Sequence, residues 1–136
     1  MIQRVQTLWL LFAAVCAFLG FRVSFYFGTL KGTQVNTPLN ATSSMLLIIC
    51  AAATGLGAFI AIFLYKNRKL QMRISLLTLI LSILTLVLYV AQTGKYDTGS
   101  YTLTSVITFV IPVFLILAAR GIWKDQKLIK SLDRLR

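Results

Sequence analysis

Apolar residues fall into four long blocks separated by short polar stretches. A helix needs about 20 apolar residues to cross a hydrocarbon layer of about 30 Å, and residues 8–27, 45–65, 74–91 and 103–123 provide such stretches. The pattern predicts an all-α, polytopic membrane protein: a single domain over residues 1–136, with four transmembrane helices in an antiparallel bundle and a basic amphipathic tail over 124–136. The intervening segments, 28–44 with Gly32, Asn36, Pro38 and Asn40, and 92–102 with Gly94, Asp97 and Gly99, carry turn chemistry and read as loops. Arg4 before an apolar block and Val15-Cys16-Ala17 also resemble a signal peptide with its cleavage site. The apolar character continues through Phe18, Leu19 and Phe21, which favours a retained helix; cleavage would leave three spans.

Finer periodicity assigns inward faces. Ala53, Gly57 and Ala61 recur every four residues in the second span, with Ala51 and Gly55 on an adjoining stripe. Small residues so spaced let another backbone approach closely, within the bundle or from a second protein. Ser75, Thr78, Ser82 and Thr85, continuing to Tyr89 and Gln92, line one face of the third span, opposite a surface of Leu and Ile. This hydroxyl stripe is expected to face the bundle, where it packs or lines a polar path. Pro112 in the fourth span removes a hydrogen bond to the Thr108 carbonyl and is expected to kink the helix.

Charge gives the bundle an orientation. Fourteen Lys and Arg face only three acids, for a net charge of +11. Arg4 precedes the first span; Lys66, Arg68, Lys69 and Arg73 lie between the second and third; Arg120, Lys124, Lys127, Lys130, Arg134 and Arg136 end the chain. Only Arg22, Lys31 and Lys95 fall on the other side. By the bias of basic residues toward cytoplasmic loops, both termini are expected to be cytoplasmic. Topology accounts for the basicity, so no nucleic-acid partner is expected. Arg22, Lys66, Arg68, Lys69, Arg73, Lys124, Lys127, Lys130 and Arg134 are positioned to meet anionic lipid headgroups or a partner protein. In the tail, Leu128, Leu132 and Leu135 at helical spacing suggest an interfacial helix.

Candidate chemistry is sparse. The acids are Asp97, Asp125 and Asp133, all outside the predicted spans, and His is absent. Proton relays and general acid-base catalysis therefore lack the usual groups, and neither an enzyme nor a cofactor is expected. Cys16 and Cys50 have no neighbouring Cys or His and read as apolar packing residues rather than metal ligands. Asn40-Ala41-Thr42 fits the short glycosylation pattern, which chance produces often and which matters only in a secretory pathway.

Two segments resemble each other: Tyr65-Lys66-Asn67-Arg68-Lys69-Leu70 and Trp123-Lys124-Asp125-Gln126-Lys127-Leu128. The match fits a duplicated hairpin, and equally two membrane interfaces drawing the same residue types. Together with Met1-Ile2-Gln3-Arg4-Val5-Gln6-Thr7, with Leu64 and Gln71 at the edges of the first segment, and with Arg120-Gly121-Ile122 and Asp133-Arg134-Leu135-Arg136 near the end, they carry a wider resemblance. The chain resembles a domain-of-unknown-function family of small four-helix membrane proteins typical of Bacteroidetes. That resemblance implies four spans and an inner membrane, and brings no activity or site. The expected role is a non-enzymatic scaffold or accessory subunit of a membrane complex, with membrane lipids, a membrane-protein partner or a second copy as partners. The alternative is a small-solute channel or transporter using the hydroxyl stripe.

Overall fold

A computed structural model describes residues 2–33 and 35–133. Four helices form an antiparallel bundle: α1 (Ile2–Leu19), α2 (Met45–Phe63), α3 (Arg68–Thr93) and α4 (Ser105–Asp133). The chain is all-α in class, as the apolar blocks predict. Among the described residues, three of the helices are long and apolar enough to cross a membrane, and α1 contributes an apolar stretch over Val5–Leu19.

Several boundaries differ from the sequence reading. The first predicted span reaches Phe27, but α1 stops at Leu19 and a tight turn follows, with Arg22 N–H bonded to Leu19 O at 2.9 Å. The aromatic and β-branched run beyond it favours extended backbone. The supposed loops at this end instead pair into an antiparallel sheet of β1 (Tyr26–Leu30), β2 (Asn36–Leu39) and β3 (Tyr96–Tyr101), ordered β2-β1-β3. Gly28 lies opposite Gly99. A Cβ built on Gly99 would stand 2.6 Å from Phe27 O and 2.8 Å from Gly28 Cα, so the strands approach only because both side chains are absent. Gly99→Val is accordingly expected to open the β1–β3 ladder while leaving the helices intact, read as faster amide exchange over residues 26–30 and 96–101 with unchanged helical circular dichroism.

The other end is corrected as well. Only the 3₁₀ turn Leu64–Lys66 and Asn67 separate α2 from α3, so Arg68, Lys69 and Arg73 belong to a helix rather than a loop. The tail is no separate element: α4 runs through Pro112 and on to Asp133 as one helix. Leu128 of the predicted leucine stripe is exposed, and Leu135, Arg134 and Arg136 lie outside the described residues.

Packing follows the small residues. A Cβ on Gly57 would lie 2.6 Å from Thr78 Oγ1, and one on Gly55 would lie 3.2 Å from the Phe18 ring, so α2 touches α3 on one side and α1 on the other. Ala61 joins the main core with Leu10, Ala14, Ala58, Leu115 and Ala118, while Ala53 is half-buried. Ser75 and Thr78 are 0% and 2% exposed, whereas Leu77 and Ile80 on the opposite surface are 61% and 63% exposed. The third span therefore turns its hydroxyls inward and its leucine and isoleucine surface outward, the arrangement a hydrocarbon surround favours. At the sheet end Phe25 stacks on Tyr89, with ring centroids 4.5 Å apart, and seats the strands on the bundle with Leu39 and Leu47.

Candidate functional site at the basic end of the bundle

A cluster of polar interactions lies where α1, α3 and α4 meet. Asp125 is 6% exposed. One carboxylate oxygen, Oδ2, accepts from Gln6 Nε2 at 2.7 Å and pairs with an Arg68 guanidinium nitrogen at 3.1 Å. Gln126 Nε2 donates to Arg68 O at 2.8 Å, which fixes the start of α3 to α4 a second time. Gln71 Nε2 donates to Ala61 O at 3.0 Å and brings in α2. All four helices are thus joined by polar contacts at this end. Gly121 makes room for the Gln6 stem, since a Cβ there would lie 2.7 Å from Gln6 Cγ.

The sequence reading places Asp125 in the basic amphipathic tail and names Gln6 and Gln71 only within the wider resemblance. Physically, a carboxylate survives burial when a cation and a donor meet it. Here both partners come from residues more than fifty positions away. The internal similarity was the available signal: the two related segments face each other, and Arg68 of one contacts Asp125 and Gln126 of the other. Their local structures differ, however, because Tyr65 and Lys66 form a 3₁₀ turn while residues 123–128 are helical.

Two grooves flank Arg68. One, of about 450 Å³, has Gln6, Arg68 and Gln71 at its polar side and Leu8, Leu11 and Tyr65 at its apolar side. The other, of about 890 Å³, opens between the start of α3 and the end of α4 and includes Lys66, Lys69, Arg73 and Lys130. Lys124 and Lys127 are exposed on α4 and are not among its lining residues. Arg22 stands apart, exposed in the turn after α1 at the sheet end.

The hydroxyl stripe makes mostly local bonds. Thr78 Oγ1 donates to Ile74 O at 2.7 Å, Ser82 Oγ to Leu79 O at 2.7 Å, and Thr85 Oγ1 to Leu81 O at 2.8 Å. These bonds satisfy side-chain donors within α3. Between the stripe and its neighbours lies a cavity of about 20 Å³, bordered by Thr54, Ser82, Thr85, Tyr89 and Thr108, enough space for about one water. No group of three or more potential His, Cys, Asp or Glu metal ligands occurs among the described residues.

No curated protein and no solved structure matches the chain. The model for a domain of unknown function, DUF4293, matches residues 2–135, and the chain belongs to that family.

Proposed function

We propose that the protein is a non-enzymatic scaffold or accessory subunit of a membrane complex, seated in the bacterial inner membrane with both termini cytoplasmic. The observation that carries this reading is the contrast between interior and ends. Among the described residues the interior is lined by small side chains and by hydroxyls that, Ser75 Oγ excepted, bond to their own helix, around a cavity of about 20 Å³. The basic end presents a polar framework and a broad cationic groove. Such a molecule is better suited to holding lipids or a partner at its surface than to passing a solute through its centre.

The test is copurification of the full chain from native membranes in mild detergent. A reproducible partner, or a stable homo-oligomer, is the expected result. Repeated isolation as a lone monomer, with cross-linking in intact membranes also yielding only monomer, would refute the scaffold role.

A further inference from the structure

We infer that the groove between the start of α3 and the end of α4 binds the headgroup of an anionic phospholipid carrying two phosphates. Lys66, Lys69, Arg73 and Lys130 line it, with Leu70 and Ile129 supplying apolar surface. These four cations make no ion pair among the described residues; Arg68, the fifth cation there, is held by Asp125. Orientation bias asks only for positive charge on one side of a membrane. It does not ask for charges distant in sequence to line the same groove. Lys130 lies about 10 Å of helix beyond Trp123, yet α4 continues unbroken, and Gln126 and Asp125 tie it to Arg68.

The start of α3 adds a second argument. A helix N-terminus carries partial positive charge and favours acids in its first turn. Here the first turn has no acid, Asn67 supplies no side-chain cap, and Arg68 and Lys69 occupy the opening positions. Asp125, brought from α4, offsets one of these charges. An anion in the groove would relieve the remaining repulsion and meet backbone N–H groups that have no partner within the helix. One phosphate is balanced by one or two cations, whereas four cations match a two-phosphate headgroup. Nearby Tyr65 and Trp123 are exposed aromatic residues of the kind found at headgroup level.

The inference rests on the lipid-contacting part of the proposed function and is independent of whether a protein partner exists. It is tested on the full chain by native mass spectrometry during titration with cardiolipin, with phosphatidylglycerol at twice the concentration for equal charge, and with inorganic pyrophosphate. Cardiolipin is expected to be retained preferentially. Lys69→Gln combined with Arg73→Gln should weaken that retention about 25-fold, at roughly fivefold per cation, while Lys124→Gln combined with Lys127→Gln should leave it within about twofold. Arg73→Gln alone, expected to cost about fivefold, serves if the double variant does not fold. Equal weakening by both double variants would overturn the groove and leave general lipid contact standing. Equal retention of phosphatidylglycerol would overturn the two-phosphate assignment, and competition by pyrophosphate at comparable concentration would make the site one for a soluble anion. Absence of any anionic-lipid retention would overturn the groove and the lipid part of the proposed function together.

Discussion

Asp125→Ala is expected to destabilise the bundle by about 3 kcal/mol, because removing one partner of a buried ion pair leaves the other charge stranded. The variant strips Arg68 and Gln6 of a shared acceptor in one step. Arg68 retains some solvent contact, its side chain being 24% exposed, which places the expected loss at the lower end of the range for buried pairs. Asp125→Asn keeps an oxygen for Gln6 and should cost about half as much. Combining Asp125→Leu with Arg68→Met should recover most of the loss, leaving the unpaired Gln6 amide as the remainder. Thermal unfolding of the purified protein in one fixed detergent measures all three. Equal stability of Asp125→Ala and the parent chain would show that Asp125 is solvated rather than structural.

Gly57→Ala, ordinarily a mild change in a helix, should cost about 1–3 kcal/mol through overpacking. The added Cβ would stand 2.6 Å from Thr78 Oγ1 and 3.3 Å from Thr78 Cγ2. Thr78 has little freedom to retreat, being 2% exposed and bonded to Ile74 O at 2.7 Å. Thr78→Ala removes both close atoms and leaves Cβ, 3.5 Å from the new methyl group, in ordinary contact. Gly57→Ala should therefore become nearly neutral in a Thr78→Ala background. That coupling, read as non-additivity in unfolding free energy, identifies the α2–α3 contact specifically; additive effects would contradict it.

These two sites show what the sequence could and could not express. Gly57 and Thr78 were legible because helical periodicity places small residues and hydroxyls on faces, and both faces do turn inward. The outward Leu77 and Ile80 followed from the same pattern. Asp125 was not legible, since no local period says that a polar residue in the predicted amphipathic tail packs against Gln6 and Arg68. The sheet was hidden for a related reason. Turn residues such as Gly28, Gly99 and Pro38 suggest loops when read along the chain, whereas Gly28 opposite Gly99 acquires meaning only when two distant hairpin tips meet.

The fold places the sheet and the basic groove at opposite ends of the bundle, so the most direct test asks whether a membrane separates them. Thr98→Cys and Lys69→Cys, each in a chain whose Cys16 and Cys50 have been replaced by Ala, can be challenged with an impermeant maleimide in intact spheroplasts. Thr98 and Lys69 are both exposed. Labelling of Thr98→Cys in intact spheroplasts, with Lys69→Cys labelled only after permeabilisation, is the predicted result. Labelling of both positions from the same side would contradict a bundle that spans the membrane with its basic end in the cytoplasm.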